Sequence, residues 1–185
     1  MARMVTERAD ALPALTEIFR EHGYEGASLS LITEATGLGK GSLYHFFPGG
    51  KEEMVCAVLD EIDTWFETNV FAPLRTAPNP CAGVAQMMKA VEMYFRSGRR
   101  VCLVGVLALG DARDRFADRV RAYFSEWTDA LADALIRAGR KRAEAAGLAE
   151  GFVAGIQGAL VLARALDDAR AFSRAIKRLE ISLAL

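Results

Sequence analysis

Residues 23–54 read GYEGASLSLITEATGLGKGSLYHFFPGGKEEM. Two short runs with helical spacing of apolar residues flank Gly37-Leu38-Gly39. Ser28 is a good N-cap, because a serine hydroxyl takes a backbone N–H that the first helical turn leaves unpaired. The spacing after it predicts a helix over Leu29–Thr36, with Leu29, Leu31 and Ile32 inward. Gly37-Leu38-Gly39 reads as a tight turn around a buried anchor. The next helix is expected from Lys40 to about Phe47, with Leu43 toward the core. Pro48-Gly49-Gly50 ends it, since proline and glycine both break helices. Two short helices joined by a glycine turn are the sequence form of a helix-turn-helix.

Upstream, a helix from Thr6 to His22 is expected, striped by Leu15, Ile18 and Phe19. Pro13 either kinks it or opens its firm part, and Gly23 stops it. Downstream, Lys51-Glu52-Glu53 opens a helix carrying Met54, Val55, Val58, Leu59, Ile62, Trp65 and Phe66. Pro73, Pro78 and Pro80 predict a loop. Further helices are expected at about 81–97, 101–110, 112–140, 144–166 and 168–183. The chain holds 32 alanines and 20 leucines, and no proline follows residue 80. It is therefore read as all-α, with a three-helix N-terminal unit that contains the helix-turn-helix over 1–50 and a longer helical unit over 51–185. A parallel-sheet nucleotide enzyme is not expected.

With 185 residues, 52% hydrophobic and 25% charged, the chain can bury a core. Cys56, Cys81 and Cys102 are far apart and odd in number, which fits a reducing cytosol better than a disulfide scaffold. They read as small core residues. His22 and His45 do not pair with cysteine at metal spacing, so no metal or cofactor is expected. The start, MARMVTERAD, carries acids and no apolar run, unlike a signal peptide. Val101–Leu109 is too short to span a bilayer, and the run from Phe152 to Ala163 is interrupted by Gln157. A soluble, cytoplasmic protein without a membrane partner is expected.

Net charge is −1 overall, and the first 50 residues are net acidic. Between Ala35 and Lys51, however, there is no acid. The helix from Lys40 shows a small, polar, cationic face. Glycine costs about 1 kcal/mol there relative to alanine. A small face makes sense if the helix lies in a DNA major groove, whose width admits a helix. Lys40 suits guanine O6 and N7, Ser42 several base edges, His45 a base or a phosphate, and Tyr44 a phosphate. Gly41 lets the backbone approach. Lys51 opposes the dipole at its helix start, so it reads as reaching for an anion.

This stretch resembles the TetR family of transcriptional regulators. The resemblance rests on Gly23-Tyr24, the Ser28 cap, Ile32, Ala35-Thr36-Gly37-Leu38, Leu43-Tyr44-His45-Phe46-Phe47 and Lys51-Glu52-Glu53. The Phe-Pro-Gly-Gly-Lys-Glu-Glu join is one residue longer than the common family form and is similar to the LmrA/YxaF-like subgroup. The resemblance implies DNA contacts from Ser28, Lys40, Gly41, Ser42, Tyr44, His45 and Lys51. It implies a homodimeric repressor that binds a palindromic duplex operator and is released by a small-molecule effector.

In the remaining chain, Trp65, Phe66, Met88, Tyr94, Phe95, Cys102, Trp127, Phe152 and Gln157 are the expected walls of an effector cavity. Ligand pockets are mostly apolar with a few orienting polar groups. No charged residue stands among these walls, so the effector is read as apolar or aromatic and nearly neutral. Gln157 equally suits a dimer surface. Val101–Leu109 is expected to be buried in the large domain. The dimer interface is expected from Phe172, Ile176, Leu179 and Leu183, with Gly151, Gly155 and Gly158 allowing close approach; the same stripe also suits a seam within one subunit. No nucleophile–base pair, phosphate loop or metal spacing indicates an enzyme. The alternative from another class is a helical small-molecule carrier without specific DNA binding.

Overall fold

The structure, a computed structural model, describes residues 7–183. Its α-helices are α1 (Arg8–Gly26), α2 (Leu29–Thr36), α3 (Lys40–Phe46), α4 (Gly50–Phe66), α5 (Ala72–Thr76), α6 (Pro80–Tyr94), α7 (Leu103–Leu109), α8 (Ala117–Arg137), α9 (Arg142–Ala165) and α10 (Arg170–Leu183). Among the described residues there is no strand. The expected start of the first helix at Thr6 lies outside the described residues.

Glycines set the local breaks. Gly23 lies at φ 67° and ψ −174° inside α1, so the regular helix ends there and one further turn follows to Gly26. Pro13 stays within the helix without a non-helical residue at its position. Gly37 ends α2 in the left-handed region at φ 69°, with its N–H bonded to the Thr33 carbonyl at 2.9 Å. An L side chain resists that conformation, which is why glycine closes helices in this way.

The prolines after α4 do not make the expected loop at Pro73. Helical winding continues from α4 through a π-helical segment, Glu67–Phe71, into α5, where Pro73 sits in the first turn. A first-turn proline sacrifices no helical hydrogen bond, because that N–H has no partner in any case. The break comes at Ala77, and Asn79 then caps α6 through its side chain.

The chain divides into two compact units. The first comprises the residues up to Asp63 together with Leu103–Val120. Its core is built from Ala11, Leu15 and Phe19 of α1, Ile32 of α2, Leu38 in the turn, Leu43 of α3, Phe47, and Met54, Val55, Val58 and Leu59 of α4. Segment 103–109 was expected in the large domain. Instead α7 packs on α1 in this first unit. A short apolar helix declares that it will be buried, not against what. Leu109 at its end is 88% exposed.

The second unit runs from Thr64 to Cys102 and from Arg121 onward. Its centre is aromatic, with Phe66, Phe95, Trp127, Phe152 and Phe172 fully buried. α9 and α10 pack as an antiparallel pair: a Cβ added to Gly155 would stand 2.8 Å from Leu179 Cδ2. α9 is long and apolar enough to cross a membrane by length and composition alone. Its Ala149, Phe152, Ile156, Ala159 and Ala163 are buried within the protein.

Candidate functional site

The helix-turn-helix is held from within. The Ser28 hydroxyl accepts the Leu31 N–H at 3.3 Å, fixing the start of α2. Thr36 Oγ1 donates to the Ile32 carbonyl at 2.7 Å and accepts the Leu38 N–H at 3.3 Å, which ties the turn to the helix before it. Leu43, fully buried, anchors α3. With that side pinned, Lys40, Gly41, Ser42, Tyr44 and His45 are all exposed, Tyr44 by 47%. A Cβ placed on Gly41 would meet nothing within 4 Å. The chain's own packing therefore does not require glycine at this position.

The junction into α4 is equally defined. Glu53 accepts the Gly49 N–H at 2.7 Å and pairs with Arg8 at 3.0 Å. Arg8 also lies 5.0 Å from the centre of the Phe47 ring. Lys51, half-buried, holds its ammonium 4.5 Å from the Tyr24 ring centre. Arg115 approaches the same ring at 5.5 Å and pairs with Glu52 at 2.6 Å. Arg119 bridges Asp60 at 2.8 Å and Asp63 at 2.6 Å. The segment before and at the start of α8 is thus clasped to α4 by charge, which the sequence reading missed. Burial pushes the Cys56 thiol on this face upward, with Arg119 pulling it the other way. Cys81 is exposed and Cys102 buried.

In the second unit the aromatic residues among the expected walls form a ring cluster. The Phe66 ring lies 4.9 Å from Tyr94, 4.8 Å from Tyr123 and 5.3 Å from Trp127, edge to face in each case. Trp65, half-buried, lies tilted 4.5 Å from Tyr94. Phe152 touches Trp127 at 6.2 Å, and Phe95 reaches Tyr94 at 5.0 Å. Trp127 Nε1 donates to Met87 Sδ at 3.5 Å, and Cys102 Sγ lies 3.9 Å from the Tyr123 hydroxyl. Met88 is buried. Gln157 Nε2 is buried without a hydrogen-bond partner. Tyr123 was missed, although its spacing of four from Trp127 puts both on one helix face.

The expected dimer stripe needs correction. Phe172 is fully buried and stacks on Phe95 of its own chain at 6.1 Å. Ile176 and Leu183 are also buried, and Leu179 leans on Gly155. Leu179 thus lies in the α9–α10 seam and Phe172 against Phe95 of the same subunit, and side chains buried by their own chain leave little for a second copy. Gly151 and Gly158, by contrast, are exposed, and a Cβ on either would meet nothing within 4 Å.

Comparison with known proteins follows this geometry. Residues 12–58 match the family of bacterial regulatory proteins named for tetR. Residues 80–178 match the C-terminal domain of LmrA/YxaF-like transcriptional regulators, more than half of the chain. The chain belongs to the TetR family. It is 25% identical to the HTH-type transcriptional regulator LmrA of Bacillus subtilis, covering 84% of this chain and 85% of LmrA. An uncharacterised HTH-type regulator of Mycobacterium tuberculosis is 29% identical over 82% of this chain and 80% of its own. Among solved structures, a TetR regulator from Chloroflexus aurantiacus superposes with a TM-score of 0.75 at 26% identity, covering 93% and 91% of the two chains. The TetR-family regulator CifR, solved as a cysteine mutant with a 26-bp operator duplex, gives a TM-score of 0.75 at 26% identity over 98% of both chains. As a TetR-family chain, this protein is a helix-turn-helix transcriptional regulator.

Proposed function

We propose that this regulator is a repressor that binds a palindromic operator as a homodimer and leaves it when a small apolar or aromatic effector enters the second unit. Residues 1–50 serve as the DNA-binding domain and 51–185 as the effector and dimer domain. The observation that carries the reading is the outward face of α3, small and cationic where the fold itself needs no small residue. Lys40, Ser42, Tyr44 and His45 read base edges and phosphates, Gly41 permits close approach, and Ser28 adds its capped hydroxyl at the backbone. Such a protein works in the cytoplasm and catalyses nothing.

Lys51 exchanges the Tyr24 ring for a phosphate. Retardation of duplexes across a salt series tests this: Lys51→Ala should weaken operator and unrelated duplexes alike and lower the salt slope by about one. An unchanged slope would remove Lys51 from the interface.

Dimerisation uses the outer side of α9. Gly151, Ala154, Gly158, Val161, Leu162 and Ala165 recur at helical spacing and all are exposed, Val161 by 60% and Leu162 by 53%. Small residues let two helices approach closely, and apolar ones want cover. Two copies would place two recognition helices about 34–36 Å apart for successive half-sites. Val161→Glu with Leu162→Glu should give a folded monomer in sedimentation, with unchanged helicity. A persisting dimer would move the interface elsewhere.

The effector acts through α4. Lys51 and Trp65 lie on this one helix, about 21 Å apart along its axis. Displacement of Trp65 and Phe66 reorients α4, and coupling of about 1–3 kcal/mol is typical of such switches.

A further inference from the structure

The sequence shows no charge among the aromatic walls, which implies a neutral effector. The structure brings one to them. Arg100 is half-buried, and its guanidinium carbon lies 5.5 Å from the centre of the Tyr94 ring. Its Nη1 donates to the Tyr94 carbonyl at 3.4 Å. Tyr94 is the ring that joins Trp65, at 4.5 Å, to Phe66, at 4.9 Å. A cation therefore stands on the ring next to the half-buried tryptophan.

The chain goes to some expense to hold it there. Arg96 and Ser97 lie in the left-handed region, at φ 49° and 52°, and Gly98 follows at 92°. For residues other than glycine this conformation is strained, and it persists only where the surroundings enforce it. Here they do. The N–H groups of Gly98 and Arg100 both bond to the Phe95 carbonyl, at 3.0 and 3.1 Å. Gly98 is wedged against α10, where an added Cβ would come within 2.5 Å of Phe172 Cβ. The root of Arg100 is thus fixed between Phe95 and α10, while its head meets Tyr94.

Guanidinium is the cation suited to this place. It is flat, weakly hydrated, stacks on aromatic faces and grips a carboxylate with two parallel N–H groups. A carboxylate beside it adds a charge-assisted pair that a neutral ring cannot supply.

We propose that Arg100 determines effector specificity, and that the effector is an aromatic acid: its carboxylate pairs with Arg100 while its ring lies against Tyr94 and Trp65. This deepens the effector reading above and rests on it.

The chain's two tryptophans, Trp65 and Trp127, both belong to the cluster, so intrinsic fluorescence reports binding without DNA. Naphthalene-2-carboxylate and anthracene-9-carboxylate are titrated at pH 7.5 into the full chain, each beside its primary amide. The carboxylates should bind about tenfold or more tighter than the amides, the ordinary worth of a hydrogen bond to a charged group. Arg100→Gln should erase that preference. Arg100→Lys, which keeps the charge but loses the fork, should retain part of it, and it carries the test should the glutamine variant not fold. Melting temperatures without probe check the fold of both. Equal binding of acid and amide, or an undiminished preference in the Arg100 variants, overturns the assignment and leaves the effector site standing. Failure of every probe in both forms to bind overturns the effector reading and the assignment together.

Discussion

Tyr44→Ala and Lys40→Ala should each lower operator affinity by about ten- to a hundredfold, and leave the melting temperature where it is. The expected size is that of one good base or phosphate contact, about 1–3 kcal/mol. The expected silence in stability comes from the packing: both side chains are exposed, and Leu43 alone anchors α3 in the core. Lys40 stands in the first turn of the helix and Tyr44 one turn later, so both point outward together. Loss of Lys40 should relax base preference at one position of each half-site. Loss of Tyr44 should weaken all duplexes more evenly. Retardation of the operator and of single-base variants separates the two effects. Full operator affinity in both variants would take the major groove away from α3.

The largest loss of stability is expected at Phe172. Phe172→Ala should cost about 3–5 kcal/mol, the range for emptying a fully buried aromatic site. In a chain of this length that corresponds to a fall in melting temperature of roughly 6–20 °C. The ring is fully buried and meets Phe95 at 6.1 Å. Removing it opens a void, while the Cβ that alanine keeps still faces Gly98. Calorimetry should show the loss at any protein concentration. A Phe172→Ala protein that melts like the parent, yet sediments as a monomer, would return this residue to the dimer interface.

Phe172 also marks where sequence reading stops. Phe172, Ile176, Leu179 and Leu183 announce a helix with one apolar face, and α10 has that face. Period alone does not say whether the cover is the same chain or a second copy. The same ambiguity put Leu103–Leu109 in the wrong unit: α7 is apolar enough to be buried, but its partner α1 lies some eighty residues earlier in the chain. Local signals fared better. Ser28 and Gly37 bracket α2 at the expected residues, because caps and left-handed glycines act within one turn. Pro73 misled, since a proline that stops one helix is tolerated in the first turn of the next. In the ring cluster, large aromatic residues were legible one by one. Arg100 was not, because a cation beside a glycine reads as a solvated helix end until the backbone shows where the turn folds.

The open space around Gly41 bears on the history of the protein as well as on its contacts. Residues in a core answer to their neighbours, and most changes there are lost with the fold. Lys40, Gly41, Ser42, Tyr44 and His45 are all exposed, and a Cβ on Gly41 would meet nothing within 4 Å. Substitution across this strip is close to neutral for folding, so a lineage can walk from one operator to another without passing through an unfolded intermediate. Gly41 even works against helix stability relative to alanine. If α3 reads the operator as proposed, a duplicated copy of the gene is free to acquire a new target with the old scaffold unchanged beneath it.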